Sequence, residues 1–444
     1  MSKKTALIIN PWATDFKLYD EWMHPIGLYF LVSLLKHNNF TVTYFNCLDR
    51  SGSAKPKYCN TGNFETREIP KPEIYKTIKR KYKLYGRPRK DLESFLSATP
   101  YPDIICIGSG MTYWLPGLVE TVNVVGGYFP DTPLVIGGVS AKLIPEHIKA
   151  AVPKANIFQG SLLDDSSIRQ SSIPLIATLN TASWKPSFID AYRHITLLHH
   201  APVLSSLGCP MSCSYCASRI LQSEFVIRRQ QTVLDEIEFA KSRFNIRNFA
   251  LFDDAVLHLP EQNAIPLFNA IIRQYPDIRF HTPNGLHLKS LTPQILCLMK
   301  QAGFQTLRMG YESGDMRYNK DTSAKASHDE LTKKIKMALD TGFDNASIGI
   351  YIMAGLSGQL PADVIKEIEF AASLSVKVKP VFLSPVPHTP LYEKYAAIFP
   401  ELNADPLQHN DTFFITRLPG WNAEEAQRIM DTAKKYNVRL DTKQ

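Results

Sequence analysis

The stretch "SSLGCPMSCSYCASRI", residues 205–220, holds three of the chain's seven cysteines within eight positions. Cys209, Cys213 and Cys216 have the spacing C-x3-C-x2-C. Thiolates that are so close in sequence can share one metal centre only if the backbone loops around it. Gly208 permits such a loop because it has no Cβ. The spacing therefore predicts a metal or iron–sulfur centre built by a single loop.

The number of cysteines in this loop separates two kinds of centre. A structural zinc site would need a fourth ligand, usually from a second cysteine or histidine pair. The nearest histidines, His199 and His200, precede the strand that is predicted to lead into the loop. An ordinary [4Fe–4S] cluster uses four cysteines, so three leave one iron open to a substrate or cofactor. The pattern favours an open cluster, with a structural zinc site or a non-catalytic cluster as the alternative.

The rest of the composition is that of an ordinary globular protein. The 444 residues are enough for two or three domains, and 44% of them are hydrophobic and 21% charged. No apolar run reaches the roughly 18 residues that span a bilayer, and the first residues lack the apolar stretch of a signal peptide. The odd number of cysteines argues against a disulfide framework. The sequence predicts a cytoplasmic protein without membrane contact, in which Cys106 and Cys297 are buried.

Much of the net charge of +8 lies in "KTIKRKYKLYGRPRK", residues 76–90, which has eight Lys or Arg in fifteen positions. Two interpretations are open for this basic segment. It is either a solvated helix and loop, or a docking surface for RNA or an acidic partner. Tyr75, Tyr82 and Tyr85 are interleaved with the basic residues, and they suit stacking on bases as well as packing against the domain.

Residues 1–160 alternate short apolar runs with helical patterns. Strands are predicted at "TALIIN", "TVTYFN", "DIICIG", "PLVIGG" and "NIFQG", and helices at 26–37, 113–128 and 143–151. This alternation predicts a Rossmann-like, parallel α/β sheet covered on both faces, with an insertion at about 50–100. Ligands of such sheets bind at the carboxyl ends of the strands. Those ends read "NPWAT" (10–14), "GSGMTYW" (108–114) and "GGVS" (137–140).

A second series of strands and helices follows. Residues 161–200 have weak periodicity and many Ser and Thr, which predicts a linker. Residues 201–395 then carry strands predicted at 202–207, 248–252, 278–281, 305–310, 345–352 and 378–383. Six such units predict a partial (β/α)6 barrel, whose active site lies at the carboxyl ends of the strands. Residues 396–444 are predicted to be a C-terminal helical extension, with Asn422 capping the last helix.

The segment "CPMSCSYC" resembles the signature of the radical S-adenosylmethionine (SAM) enzymes. In that family the open iron of a [4Fe–4S] cluster binds SAM, and an electron from the cluster cleaves the S–C5′ bond to give a 5′-deoxyadenosyl radical. The resemblance implies that Cys209, Cys213 and Cys216 hold the cluster and that Tyr215 lies beside SAM. It also implies a reducing partner of the flavodoxin or ferredoxin type.

Two later segments resemble the SAM-binding parts of that family. "FALFDDAVL" places Asp253 and Asp254 where the family often has a Gly-Gly-Glu segment at the SAM amino group. Helix capping by Asp254 would explain one of the two equally well. "MGYESGD" resembles the fourth-strand segment, which makes Glu312 and Ser313 candidates near the SAM ribose or carboxylate. A buried, purely structural Glu312 is the alternative.

Two further segments depart from the family pattern. "IYIMAGLSGQ" resembles the fifth-strand segment "GLPGE", with Ser357 in place of Pro and Gln359 in place of Glu. "PVPHTPLYEK" resembles "P-x-P-G-T", with His388 in place of Gly. These departures leave the predicted fold intact and concern the outer rim of the site.

A Rossmann-like domain before such a barrel resembles the cobalamin-binding class of radical SAM enzymes. "HPIGLYFLVSLLKHNNFTVTYFN", "YPDIICIGSGMTYWLPGLVETV" and "PLVIGGVSAKLIPEHI" carry the resemblance, which covers roughly residues 4–395. The Asp-x-His-x-x-Gly motif, whose histidine ligates cobalt from below, is absent; the corresponding region reads "CLDRSGSAK". Cobalamin bound without a protein histidine, and a domain that binds no corrin, both stay open. The candidate corrin-binding residues are Trp12, Ser109, Gly110, Met111, Thr112, Tyr113, Gly137 and Gly138.

The leading hypothesis from the sequence is a cobalamin-dependent radical SAM methyltransferase that acts on an unactivated carbon. The alternative is radical SAM oxidation, cyclisation or rearrangement without methyl transfer. A third hypothesis, an RNA-binding protein or iron–sulfur sensor that never cleaves SAM, rests on the basic segment alone. The sequence does not decide whether the substrate is a protein, a peptide or a small molecule.

Overall fold

The computed structural model describes residues 3–50, 57–318, 321 and 326–441. Residues 51–56 of the predicted insertion therefore lie outside the described residues. The chain divides into two compact units. The first contains residues 1–199, 235–246 and 401–408, and the second contains 200–234, 247–400 and 409–444.

The first unit is a flavodoxin-like α/β domain. Its strands are β1 (Thr5–Asn10), β2 (Ala13–Asp15), β3 (Thr41–Asn46), β4 (Thr66–Glu68), β5 (Lys83–Tyr85), β6 (Ile104–Ile107), β7 (Leu134–Gly137) and β8 (Asn156–Phe158). Its helices are α1 (Ile26–His37), α2 (Arg89–Ser97), α3 (Leu115–Tyr128), α4 (Val139–Leu143), α5 (Pro145–Ala151), α6 (Asp165–Arg169), α7 (Pro174–Ala177) and α8 (Ile189–Tyr192). Five strands form a parallel sheet in the order β3-β1-β6-β7-β8, which is the flavodoxin-like order. The predicted fold of this half is confirmed.

Residues 161–199, for which the sequence predicts a linker, are part of this first unit. They carry α6, α7 and α8. Their aromatic side chains explain why they pack: the rings of Phe188 and Tyr192 each lie 5.7 Å from the ring of Tyr29 on α1. All three rings are fully or almost fully buried, and such edge-on aromatic contacts add to the hydrophobic burial.

The insertion at 50–100 contributes β4 and β5, which form an antiparallel sheet with β2 in the order β2-β5-β4. Tyr75 and Tyr82 pack with Phe16 in one buried aromatic group, with ring centroids 4.9–5.3 Å apart. Tyr85 is also buried. The three tyrosines of the basic segment are therefore core residues and do not present faces for stacking on bases.

Many of the cations in the basic segment have acidic partners close by. The pairs are Lys76–Glu73 at 2.6 Å, Lys81–Glu68 at 2.7 Å, Arg87–Asp91 at 3.2 Å and Arg89–Glu93 at 2.8 Å. Such pairing reduces the local positive field that a nucleic-acid surface needs. The structure favours the solvated interpretation of this segment.

From residue 200 onwards the chain forms the predicted strand–helix series. The strands are β9 (Ala201–Val203), β10 (Ser206–Leu207), β11 (Val226–Ile227), β12 (Asn248–Leu251), β13 (Arg279–His281), β14 (Leu286–His287), β15 (Leu307–Glu312), β16 (Ile348–Ala354) and β17 (Lys377–Phe382). The helices are α9 (Ser218–Leu221), α10 (Gln230–Phe244), α11 (Ala264–Gln274), α12 (Pro293–Gln301), α13 (His328–Asp340), α14 (Pro361–Ser373), α15 (Pro390–Ala396), α16 (Glu401–Ala404), α17 (Asp411–Phe414) and α18 (Ala423–Asp441). Short 3₁₀ turns lie at Tyr58–Asn60, Glu73–Tyr75, Thr112–Trp114, Leu288–Ser290, Met316–Tyr318, Asn345–Ser347, Pro406–His409 and Ile415–Arg417.

The strands of the second unit form the wall of a partial barrel. β13-β12-β9 and β14-β15-β16-β17 are two parallel sheets. The hydroxyl of Thr282, just after β13, links them because it donates to Thr306 O at 3.1 Å and accepts from Arg308 N at 2.8 Å. A parallel bridge between Phe280 and Phe304 lies beside this link. The carboxyl ends of the strands therefore meet at one edge, as in a (β/α) barrel.

The last helix, α18, covers the outer strand β17. Asn422 Oδ1 accepts from Glu425 N at 2.8 Å, which confirms the predicted cap. Further along the helix, the amide of Asn437 accepts from Val378 N at 2.9 Å and donates to Val378 O at 2.8 Å. These two bonds satisfy an edge that would otherwise expose backbone groups.

Two cysteines outside the loop have different environments. Cys106 on β6 is buried as predicted, and burial raises the pKa of its thiol to about 12. The prediction for Cys297 is wrong, because its thiol is exposed. The inner face of α12 is taken by Ile295, Leu296 and Met299, which leaves position 297 on the outer face. In the described part of the chain, no helix is long and apolar enough to cross a membrane.

Candidate active site

The cysteine loop begins directly after β10, at the carboxyl edge of the barrel. Gly208 has φ +80°, and a Cβ there would lie 2.4 Å from Glu224 O. A residue with a side chain would therefore be strained by its backbone angle and blocked by a neighbouring carbonyl. This explains why the loop opens with glycine before Cys209.

The middle of the loop is fastened by Ser214. Its N–H donates to Asp321 O and its hydroxyl to Asp321 Oδ1, both at 3.1 Å, and its carbonyl accepts from Leu391 N at 2.9 Å. Lys394 Nζ donates to the same Asp321 carboxylate at 3.0 Å. Ser214, which lies between Cys213 and Cys216 in the loop, is thus held by Asp321 through its N–H and hydroxyl and by Leu391 through its carbonyl.

The three cysteines line one cavity of about 450 Å³ at this edge. That volume is in the range of small-molecule sites. Four of the five side chains that the sequence predicts for SAM line the same cavity: Tyr215, Asp253, Asp254 and Glu312.

The donor set suits an iron–sulfur cluster. All three loop cysteines are free thiols, and Cys213 and Cys209 are partly exposed to the cavity while Cys216 is exposed. Burial raises the pKa of the Cys209 thiol, and the Met211 N–H, which donates to it, partly offsets the shift. Cluster binding requires the thiolate form, so metal binding displaces protons here. Among the described residues, no three Cys, His, Asp or Glu side chains are grouped tightly enough to hold a single metal ion.

Asp253 organises the approach to the loop. Its buried carboxylate accepts from the N–H of Ser205 at 3.0 and 3.1 Å and from the Ser205 hydroxyl at 2.6 Å. It also accepts from the N–H and the hydroxyl of Ser206 at 2.5 and 2.6 Å. Burial raises its pKa, and these donors act in the opposite direction. In this arrangement the side chain of Asp253 holds β10 in place ahead of the cysteines.

Asp254 faces the cavity and is connected to the cysteine loop. It is open to solvent, yet enough protein surrounds it that lost hydration raises its pKa. A hydrogen bond from the Ser218 hydroxyl lowers that pKa in part. Ser218 in turn lies 3.2 Å, Oγ to Sγ, from Cys216. The hydrogen bond of Asp254 is therefore made to Ser218 at the start of α9, which precedes Asp254 in the chain. Capping of a helix that follows Asp254 does not account for this residue.

Glu312 reaches the cavity from the end of β15. It is 6% exposed and has φ +68°, a left-handed conformation that is unfavourable for a residue with a side chain. The register with β16 shifts between Gly310 and Glu312, which places the residue at a bulge. Burial, followed by the charge of Glu312 nearby, raises the pKa of the Tyr215 hydroxyl far above its ordinary value.

Ser313 differs from the other predicted SAM residues. It is 2% exposed and does not line the cavity. Its hydroxyl donates to Glu367 Oε1 at 3.2 Å, on the helix side of the strand. Its assignment to SAM remains a prediction.

Sequence motifs missed several cavity residues. Asn284 Nδ2 donates to Phe252 O at 3.0 Å and Asp253 O at 3.2 Å, so it fixes the loop that carries both aspartates. Tyr351 donates its hydroxyl to Pro283 O at 2.7 Å. No local pattern marks such residues: Asn284 lies in the loop after the carboxyl end of β13, whereas Tyr351 lies in the middle of β16. His258 and His287 also line the cavity.

The departures from the family segments have structural explanations. Gln359 is 3% exposed and accepts from Gly355 N at 2.8 Å and Leu356 N at 3.1 Å, while it donates to Met353 O at 3.1 Å. A glutamate could not make the donated bond when ionised. His388 is exposed and has φ +67°, so this position keeps the conformation that glycine favours.

The charge of the cavity suits a cation. Asp253, Asp254 and Glu312 line it, and within the described residues no Lys or Arg does. Much of the remaining lining is apolar, which strengthens electrostatic interactions by excluding water. The apolar side chains include Val256, Leu257, Leu286, Met353 and Val381.

The predicted corrin-binding residues lie at the strand ends of the first unit. Ser109 donates its hydroxyl to Gly137 O at 2.9 Å and accepts from Ala141 N at 3.0 Å, which joins the ends of β6 and β7. Met111 is 42% exposed at this edge, whereas Thr112, Tyr113 and Trp12 are buried. The indole N–H of Trp12 donates to Arg87 O at 2.8 Å.

The first unit's own cavity at this edge is small. It holds about 30 Å³ and is lined in part by Trp12, Gly110 and Met111. A Cβ at Gly110 would lie 2.7 Å from the Trp114 ring, and one at Gly138 would lie 2.6 Å from Ser109 O. Close packing within the protein thus explains both glycines. A corrin does not fit inside this cavity and would have to lie over the exposed strand ends.

Fold and site together describe a partial parallel barrel with a three-cysteine loop in a cavity at the carboxyl ends of its strands. The family model of the Radical SAM superfamily matches residues 203–371, so this part of the chain is a radical SAM domain. Such a domain implies a [4Fe–4S] cluster and SAM. A search of curated proteins gives no significant match.

Two solved structures are similar over most of this chain. The radical SAM methyltransferase TsrM from Kitasatospora setae, with tryptophan substrate and a SAM analogue bound, has a TM-score of 0.59 at 14% identity; 89% of this chain and 76% of that chain are covered. The cobalamin-dependent SAM radical enzyme OxsB, with aqua-cobalamin and SAM bound, has a TM-score of 0.55 at 13% identity; 98% of this chain and 61% of that chain are covered. At these identities the similarity establishes a shared fold.

Proposed function

We propose that this protein cleaves SAM reductively in the 450 Å³ cavity of the second unit. The observation that carries the proposal is that Cys209, Cys213 and Cys216 share this cavity with Asp254 and Glu312. When bound by the three cysteines, a [4Fe–4S] cluster would supply the electron for cleavage of the S–C5′ bond.

The carboxylates are suited to the cationic groups of SAM. The sulfonium and the ammonium of SAM are both positive, and Asp254 and Glu312 present negative charge in a cavity with apolar walls. Attraction between opposite charges is stronger there than in water. Asp253 contributes indirectly because it holds Ser205 and Ser206 and thereby the start of the cysteine loop.

The apolar walls protect a reactive species. Radical chemistry requires that solvent and unwanted hydrogen donors be kept away from the reacting atoms. Leu257, Leu286 and Val381 contribute side chains of this kind to the cavity. The arrangement therefore supports hydrogen abstraction from a bound substrate, whether that is a small molecule or the side chain of a peptide or protein.

The finer proposal is methylation of an unactivated carbon with cobalamin as methyl carrier. Its support is the shared fold with TsrM and OxsB over 89% and 98% of this chain. The residues that would meet a corrin are the exposed strand-end groups, with Met111 foremost. When bound, cobalamin would carry to the substrate a methyl group that SAM donates.

A radical SAM reaction without methyl transfer is the second candidate. The observation that favours it is the small cavity at the strand ends of the first unit, which measures about 30 Å³ and beside which Trp114 packs over Gly110. Oxidation, cyclisation or rearrangement would need the barrel site and no corrin.

The test is anaerobic expression with iron, sulfide and cobalamin supplied, followed by spectroscopy, cofactor extraction and incubation with SAM. A flavodoxin with its reductase, or dithionite, serves as reductant. Formation of 5′-deoxyadenosine supports SAM cleavage, and its absence in a protein that carries the cluster would contradict the proposal. One corrin per chain supports methylation, whereas a cluster alone selects the second candidate.

A further inference from the structure

The end of β15 places three consecutive side chains on two faces. Glu312 faces the cavity, while Tyr311 and Ser313 on either side of it face α14. This arrangement arises at a tight turn around Glu312, where Ser313 N donates to Tyr311 O at 2.9 Å. It means that groups on α14 can act on the backbone of Glu312 without touching the cavity.

Both flanking side chains bind the same carboxylate. Tyr311 donates its hydroxyl to Glu367 Oε2 at 2.7 Å, and Ser313 donates to Glu367 Oε1 at 3.2 Å. Glu367 lies on α14 and is 5% exposed. The imidazole of His328, on α13, lies 3.2 Å from Glu367 Oε2 through its Nε2. A buried acceptor that binds the residues before and after one position fixes the strand at that position.

Gly314, the residue after Ser313, shows independently that the side chains around Glu367 are closely packed. A Cβ at Gly314 would lie 2.2 Å from the Tyr311 hydroxyl and 3.0 Å from the His328 ring. Any larger residue would push the phenol or the imidazole away from Glu367. Glycine at position 314 therefore leaves the space that the side chains of Tyr311 and His328 need for their contacts with Glu367.

From this geometry we infer that Glu367 is a positioning residue, which holds Glu312 in its left-handed conformation with the carboxylate toward SAM. The inference rests on the proposed function, since it assigns the contact between Glu312 and SAM. A left-handed φ of +68° is unfavourable for glutamate, so it persists only when surrounding contacts impose it. The contacts that contribute to this are the hydrogen bonds from Tyr311 and Ser313 to Glu367, together with the backbone bond from Ser313 N to Tyr311 O. Without them the bulge relaxes and the carboxylate of Glu312 leaves the cavity.

The experiment is a double-mutant cycle on the cluster-loaded protein. SAM affinity is measured from the change that SAM causes in the electron paramagnetic resonance spectrum of the reduced cluster, with iron content as a check. Glu367→Ala is expected to weaken SAM binding about tenfold or more. Glu367→Gln is expected to keep most of the affinity, because its amide can accept from Tyr311 and hydrogen-bond Ser313. Glu369→Ala, an exposed change on the same helix, is the matched control.

The cycle is completed with Glu312→Gln. In that background, Glu367→Ala is expected to have no further effect on SAM affinity, because the group that it positions is already altered. An equal loss in both backgrounds, or unchanged affinity in Glu367→Ala alone, would overturn the inference. Should Glu367→Ala fail to fold, Tyr311→Phe removes one of the anchoring bonds at nearly constant volume and replaces it in the same cycle. A wild-type cluster whose spectrum ignores SAM would defeat the proposed function together with this inference, whereas a wild-type response without coupling defeats the inference alone.

Discussion

The backbone N–H of Ser218 donates to Cys216 Sγ at 3.5 Å, and the hydroxyl oxygen of Ser218 lies 3.2 Å from the same sulfur. A sulfur that ligates iron is negatively charged and can only accept hydrogen bonds. Donors to such sulfurs stabilise the more negative, reduced state of the cluster. The single hydroxyl proton of Ser218 is donated to Asp254 in this structure, so we predict that it turns to Cys216 once that sulfur ligates iron and that it then raises the reduction potential.

Ser218→Ala removes the hydroxyl and keeps the backbone donor. We expect a lower reduction potential, because the variant lacks the hydroxyl that is predicted to turn to the Cys216 sulfur in the cluster-bound state. A redox titration followed by electron paramagnetic resonance measures the shift. Ser373→Ala, an exposed change on α14, should leave the potential unchanged. A potential equal to that of the wild type in Ser218→Ala would show that the hydroxyl does not act on the cluster.

Replacement of Cys209, Cys213 and Cys216 by Ala should abolish the cluster. Their thiols are the only side chains of the cysteine loop with the affinity for iron that a cluster requires. The visible absorption and the iron and sulfide content after anaerobic reconstitution check this. Cys297→Ala is the control, since that thiol is exposed on α12 and far along the chain from the loop. An intact iron–sulfur spectrum in the triple variant would contradict the assignment of the site.

Asp49 makes the stability of the protein depend on pH. It follows β3 in the first unit, and burial raises its pKa to about 6. The ordinary pKa is about 3.9, so the folded state holds the proton more tightly than the unfolded state does. Stability from this group is therefore present below pH 4 and is lost as the pH rises to 6 and above.

Asp49→Asn should remove that dependence. Asn still offers an oxygen to Arg50 N, which Asp49 Oδ1 accepts at 2.8 Å. Above pH 6 the variant is expected to be more stable by up to about 3 kcal/mol, which corresponds to about two pKa units. Thermal unfolding between pH 4.5 and 7.5 measures it, with the exposed Asp131→Asn as control. If the unfolding temperatures of the wild type and of Asp49→Asn changed in parallel with pH, this account of Asp49 would be refuted.

Gln359→Glu tests the amide that replaces the family's glutamate. The ionised side chain could not donate to Met353 O and would place a charge beside that carbonyl. We expect a loss of roughly 1–3 kcal/mol in unfolding free energy, the cost of an unsatisfied buried polar group. Denaturant unfolding checks it, with Gln427→Glu on the exposed face of α18 as control. No difference between the two variants would mean that the loop after β16 adjusts freely.

The sequence was sufficient for features that depend on nearby residues. Apolar runs such as "TALIIN" and "DIICIG" correspond to β1 and β6 because each run is one buried strand. The loop with Cys209, Cys213 and Cys216 was recognisable from spacing, and its position at a strand end followed from the strand before it. Asn422 as a cap is local in the same sense.

Features that depend on distant residues could not be predicted. Glu367 is 54 positions from Ser313 and no motif includes it, yet it binds that residue and Tyr311. The burial of Tyr75 depends on Phe16, which lies just after β2 and 59 positions earlier in the chain. Cys297 sits in a run of five apolar residues, of which the inner face of α12 buries three.

The left-handed conformation of His388 shows what determines the path of its loop. The backbone has φ +67° without a glycine, and the following residue is fixed: Thr389 accepts from Tyr392 N at 3.3 Å and donates to Val386 O at 2.7 Å. The path is therefore imposed by these anchors and does not depend on the preference of residue 388. An exposed position with an externally fixed backbone suits saturation mutagenesis, since new side chains would change the surface beyond β17 while the loop keeps its course.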